Sequence, residues 1–224
     1  GWVLNFLDIY DASLARLANQ SGATIISVNY QKAPEHPFPV PFDDCYETLL
    51  WVIDHAAELN IDSQRIGVSG DSAGANLASG VAIKARDNKV KLAFQLLIYP
   101  CNDRDFTTDS YLNCATGYGL STQAMQWFWD QYLQGDHHNK NPYAVPMVAT
   151  DFSGLAPAII ITAEYDPLLS DGEKYAELLG GAGVPVTYKQ FDGMIHGFFT
   201  NMAVTPAAGQ AIDFSASEIV RLTP

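Results

Sequence analysis

The chain has 224 residues, 48% of them hydrophobic and 17% charged, enough for one domain with a sizeable core and outside the composition range of disordered chains. Twelve Lys and Arg against 25 Asp and Glu leave a formal charge of -13, the wrong sign for neutralising nucleic-acid phosphates or anionic lipid. No apolar run approaches the roughly 20 residues that span a bilayer, and Cys45, Cys101 and Cys114, without CxxC spacing, favour neither a disulfide framework nor zinc and fit a reducing cytoplasm.

Thr24 to Tyr30 reads as a short β-rich strand, closed by residues 33–39, where three prolines forbid helix and ladder alike. Phe42 to Asn60 places Tyr46, Leu49, Leu50 and Ile53 at i, i+3, i+4 and i+7, a helix with one buried stripe. Arg65 to Ser69 is a strand, Ala75 to Arg86 a small-residue helix, and Leu92 to Tyr99 an almost continuously apolar strand. The pattern repeats with a strand at Pro157 to Ala163 and a helix at Asp171 to Leu179 ended by Gly180 and Gly181. A last strand, Val184 to Phe191, and a last helix, Pro206 to Leu222, follow. Five strands separated by helices predict βαβ units, hence an α/β fold with a mostly parallel sheet covered on both faces. Residues 102–154 break this alternation and hold an aromatic helix, Ser121 to Leu133, with Trp127, Phe128, Trp129 and Tyr132. They read as a cap inserted into a core made of residues 1–101 and 155–224.

In open parallel sheets the ligand site lies beyond the carboxyl ends of the strands, and three such positions carry chemistry. Gly70-Asp71-Ser72-Ala73-Gly74 is a G-x-S-x-G between a predicted strand and a predicted helix, the setting of a nucleophile elbow. Asp166 follows the strand ending at Ala163, and His196 follows the strand ending at Phe191. The order serine, aspartate, histidine is that of α/β-hydrolases. Ser72 is a weak nucleophile until a base takes its proton; His196 can take it and return it to the leaving group, and Asp166 can hold the imidazole in the right tautomer. The Ala73 N–H, opening a helix, is a candidate oxyanion donor. No metal or organic cofactor is required. His137 and His138 beside Asp136 read as solvated loop residues of the insertion.

With these motifs in view, the chain resembles the bacterial hormone-sensitive-lipase-like esterases of the α/β-hydrolases, the GDSAG type. The shared features are Gly70 to Gly74 with Ala75-Asn76-Leu77, residues 33–39 after a strand ending in Tyr30, Ile98-Tyr99-Pro100, Asp166-Pro167-Leu168 and His196-Gly197-Phe198. The resemblance implies a carboxylesterase acting on small-molecule esters of short to medium acyl chain through a serine acyl-enzyme, with a cap over the acyl pocket. It also allows a homodimer. Asp71 and Phe198, next to the nucleophile and the histidine, and Trp127 in the aromatic helix are candidate substrate contacts. An amide or formamide hydrolase with the same triad, or a non-catalytic hydrolase-fold binding protein, are the alternatives. Two departures stand out. Gln31-Lys32 replaces the family's usual Arg-Leu, and the His-Gly-Gly-Gly motif and the central strand before it are expected upstream of Gly1-Trp2, so the chain reads as a truncated member.

Overall fold

Four of the five segments expected as strands contribute to the sheet. In the computed structural model, which describes every residue except Asn5 and Asp136, β1 (Val68–Asp71), β2 (Gln95–Ile98), β3 (Ala158–Tyr165) and β4 (Val186–Ile195) pair in that order. All three pairings are parallel. Successive side chains of a strand point to opposite faces, and the central strand shows the consequence. Ile159 and Ile161 pack with Ile212 and Ala216 on one face, whereas Ile160 packs with Tyr175 and Leu179 on the other.

Helices supply both covers, as parallel crossovers require. α3 (Ala73–Asp87) and α6 (Leu169–Gly181) lie on one face, and α7 (Pro206–Leu222) lies on the other with Leu17 of α1 (Asp11–Ser21). α1 was not foreseen in the sequence. It buries only Ser13 and Leu17, ends on Gly22 at φ 70, and is joined to α7 by an Arg16–Asp213 ion pair at 2.8 Å.

One predicted strand is absent. Thr24 to Tyr30 runs without a ladder, because β propensity yields a strand only where a neighbour offers backbone partners. Ile25, Val28 and Tyr30 line a cavity of about 800 Å³ together with Ile66, Val68 and Ser69. The segment is instead tied at its ends, where Ala23 N–H donates to Ser21 Oγ and Gln31 N–H donates to Asp44 Oδ2 at 2.8 Å. α2 (Val40–Asp54) stops six residues before the expected Asn60, which lies in a turn at φ 54.

Residues 102–154 contain α4 (Asp109–Asn113) and α5 (Thr122–Leu133). Ser121 caps α5 by accepting a hydrogen bond from the Ala124 N–H at 3.1 Å. Met125, Trp129 and Tyr132, at i, i+4 and i+7, form its buried stripe and join the core cluster of Trp2, Phe38, Phe42 and Leu77. Tyr132 stacks on Trp2 with centroids 4.4 Å apart. Among the described residues no helix is long and apolar enough to cross a membrane.

Candidate active site

β1 ends at Asp71 and α3 begins at Ala73, leaving Ser72 alone in the turn at φ 54 and ψ -119. That strained backbone lifts the side chain off the sheet. Gly70 makes the turn sterically feasible, since a Cβ there would lie 2.2 Å from the carbonyl carbon and oxygen of Gly74. Gly74 itself has room, its nearest neighbour to such an atom being Asp71 Oδ1 at 3.9 Å. The Ser72 N–H donates to the Ile98 carbonyl at 2.8 Å, and the first helical bond runs from the Asn76 N–H to the Ser72 carbonyl. The Ala73 N–H therefore has no intrahelical acceptor and is free by position to meet a developing oxyanion.

Asp166 sits immediately beyond β3 and is fully buried. Its Oδ1 accepts the Leu168 N–H at 2.9 Å, and its Oδ2 lies 2.7 Å from His196 Nδ1. An ionised carboxylate can only accept, so the proton is assigned to Nδ1. Nε2 is then the acceptor for the Ser72 hydroxyl, 2.9 Å away. His196 follows β4, and Gly197 at φ 81 turns the chain behind it. Three strand ends thus bring the predicted serine, histidine and aspartate into one hydrogen-bonded line.

The other candidates fare differently. Asp71 lines the cavity that Ser72 and His196 also line, and its carboxyl faces the Tyr99 hydroxyl at 3.4 Å. Desolvation raises the Asp71 carboxyl above the usual carboxylate range. Trp127 is 49% exposed and rests edge-on against Phe128. It lies two residues, or about 200°, around the helix from the buried stripe. Of residues 102–154, Leu120, Met125 and Phe128 line the cavity with Ser72, and Met125 and Phe128 stand in an i, i+3 relation on α5. Phe198 is buried and packs on Phe191 and Tyr99 rather than lining that cavity; the turn at Gly197 sends its ring into the core. The rings of His137 and His138 lie 4.0 Å apart, tilted by 51°, and His138 meets Phe38 edge-on at 4.8 Å; in this turn His137 is exposed and His138 half-buried. Asp136 lies outside the described residues.

A serine, histidine and aspartate in line at the carboxyl edge of a parallel sheet define the geometry of a serine hydrolase. Comparison with known proteins agrees with that class. Residues 1–200 match the family described as having the alpha/beta hydrolase fold, and the chain belongs to that family, the hormone-sensitive-lipase-like group its motifs resemble. It is 41% identical over 215 residues to carboxylesterase NlhH of Mycobacterium tuberculosis, covering 94% of this chain and 67% of that protein. It is 37% identical to an arylesterase of Saccharolobus solfataricus, covering 88% and 65%. Among solved structures it superposes on EstE1, a thermostable carboxylesterase from a metagenomic library, with a TM-score of 0.96 at 36% identity, over 100% of this chain and 77% of that one. The chain spans about two thirds of the length of these curated relatives.

Proposed function

We propose that the protein is a carboxylesterase that hydrolyses esters of short to medium acyl chain through an acyl-enzyme on Ser72. The observation that carries this reading is the line of contacts from Asp166 Oδ2 to His196 Nδ1 at 2.7 Å and from His196 Nε2 to Ser72 Oγ at 2.9 Å. Ser72 Oγ attacks the ester carbonyl while Nε2 takes its proton, and the Ala73 N–H donates to the oxyanion of the tetrahedral intermediate. Collapse breaks the ester C–O bond, and the departing alcohol oxygen receives the proton from His196. A water then attacks the acyl carbon under the same base, releasing the carboxylic acid and restoring Ser72. Throughout, Asp166 keeps the imidazole in the Nδ1–H tautomer and stabilises the imidazolium.

Leu120, Met125 and Phe128, which line one cavity with Ser72, support an apolar acyl group and a part for residues 102–154 in acyl-chain preference. Relatives named carboxylesterase and arylesterase favour ester over amide cleavage. The free cysteines Cys45, Cys101 and Cys114 support a reducing, cytoplasmic setting. The test compares turnover of p-nitrophenyl acetate and butyrate with that of the corresponding aryl amides. The reading expects ester turnover that exceeds amide turnover by at least about tenfold and vanishes in Ser72→Ala. Amide turnover equal to ester turnover would overturn it, and so would folded protein that turns over no ester.

A further inference from the structure

Tyr99 combines features that the reaction scheme leaves unused. It follows β2 with φ 36, a left-handed backbone that side chains resist, and it precedes Pro100, which restricts it further. The side chain is fully buried. Its ring centroid lies 4.6 Å from that of His196, tilted by 56°, and 6.0 Å from that of Phe198. Its hydroxyl lies 3.4 Å from Asp71 Oδ2, on the residue before the nucleophile. Its N–H donates to the Ile161 carbonyl of β3 at 2.6 Å. A backbone this strained persists only where its surroundings over-determine it, and such residues gather at functional sites.

We propose that Tyr99 is a positioning residue for His196, its ring fixing the plane of the imidazole and its hydroxyl tying that ring to Asp71 at the nucleophile elbow. The inference rests on the reading of Ser72, His196 and Asp166 as the reacting set. Asp166 holds the imidazole at the single atom Nδ1, and the ring's bond to Cβ holds it at a second point. About the axis through those two points the ring can still tilt, which swings Nε2 away from Ser72 Oγ. A third contact off that axis is needed to keep the 2.9 Å distance, and Tyr99 supplies it. An aromatic ring is also a favourable neighbour for the imidazolium that forms during the reaction. Burial holds the Tyr99 hydroxyl well above the usual tyrosine range, so it remains a donor to Asp71.

The experiment compares Tyr99→Phe and Tyr99→Leu with the parent in two readouts, both normalised to folded protein. One is the second-order rate at which a fluorophosphonate labels Ser72. The other is the downfield proton NMR signal of the His196 Nδ1–H, which needs no ester turnover and so separates failure of this inference from failure of the esterase reading. Tyr175→Leu serves as the control, because Tyr175 is an equally buried ring on the opposite face of the sheet. Tyr99→Phe should label within about fivefold of the parent, the scale of one neutral hydrogen bond, and keep the signal. Tyr99→Leu should label at least about tenfold more slowly, the scale of a misplaced reacting group, and broaden the signal. Tyr175→Leu should lower the melting temperature and change neither readout. If Tyr99→Leu does not fold, Tyr99→Met, of similar reach but without a ring, replaces it. The inference is overturned if the ring-free variant labels at the parent rate with its signal intact, or if Tyr175→Leu slows labelling equally.

Discussion

Replacing Asp166 by Asn separates orientation from folding at this site. In the parent, Oδ1 is committed to the Leu168 N–H at 2.9 Å and Oδ2 to His196 Nδ1 at 2.7 Å. In Asp166→Asn the remaining oxygen keeps the Leu168 bond, because only an acceptor satisfies that N–H, and the amide NH₂ then faces Nδ1. Two donors cannot face one another, so the imidazole proton moves to Nε2, the atom that must accept from Ser72 Oγ at 2.9 Å. The backbone contact survives while the base is disabled. In serine triads a wrong tautomer of this kind costs on the order of 10⁴ in kcat, about 5.4 kcal/mol of transition-state stabilisation at about 1.36 kcal/mol per decade. The assay is p-nitrophenyl butyrate turnover alongside a thermal melt followed by circular dichroism. A variant that melts with the parent yet retains more than about a tenth of its kcat would refute the reasoning, since the carboxylate would then not set the tautomer.

The two motif glycines differ in what they tolerate. Gly70→Ala drives a Cβ to 2.2 Å from the Gly74 carbonyl and should cost at least about 1–3 kcal/mol of stability with loss of activity, whereas Gly74→Ala, whose Cβ would meet only Asp71 Oδ1 at an ordinary 3.9 Å, should lose no stability and gain up to about 0.5–1 kcal/mol from helix propensity; chemical denaturation of both measures this. Phe128→Ala should change the ratio of butyrate to acetate ester turnover while Trp127→Ala leaves it unchanged, because Phe128 lines the cavity that Ser72 also lines and Trp127 does not. Buried Asp171, with Oδ2 accepting the Asp103 N–H at 3.1 Å, has its carboxyl held well above the usual range by desolvation. Its folded pKa exceeds its unfolded value, so its contribution is fully present below about pH 4 and is lost as pH rises toward the folded value. Asp171→Asn should therefore gain melting temperature relative to the parent as pH increases from 4 to 8, and a difference independent of pH would count against this account.

Much of this was legible because local chemistry and topology agree here. Ser72, Asp166 and His196 each follow a strand, but only the segment before Asp166 is a continuous apolar run; the other two are legible from the alternation of strand-like and helix-like segments and from the G-x-S-x-G motif. The helix at Pro206–Leu222 was readable to the residue, since Thr205, which caps it by accepting the Ala207 N–H, and Pro206 mark its start. Thr24 to Tyr30 was misread because its residues carry β propensity whereas pairing depends on a neighbour that propensity does not encode. Trp127 is a candidate contact only as one of the aromatics of its helix. The helical spacing of Met125, Trp129 and Tyr132 already turns it away from the core, and that spacing outweighs residue type. Ile98-Tyr99-Pro100 is visible as a motif, but the positive φ of Tyr99 and its ring against His196 are tertiary facts that the motif does not encode.

The central claim, that Ser72 is the nucleophile activated by His196, is tested most directly by mapping the adduct of a fluorophosphonate on the folded protein by peptide mass spectrometry. The account predicts one modified residue, Ser72, with labelling abolished in Ser72→Ala and slowed by orders of magnitude in His196→Ala. An adduct on another residue, or labelling of Ser72 that proceeds at the parent rate without the imidazole, would contradict it.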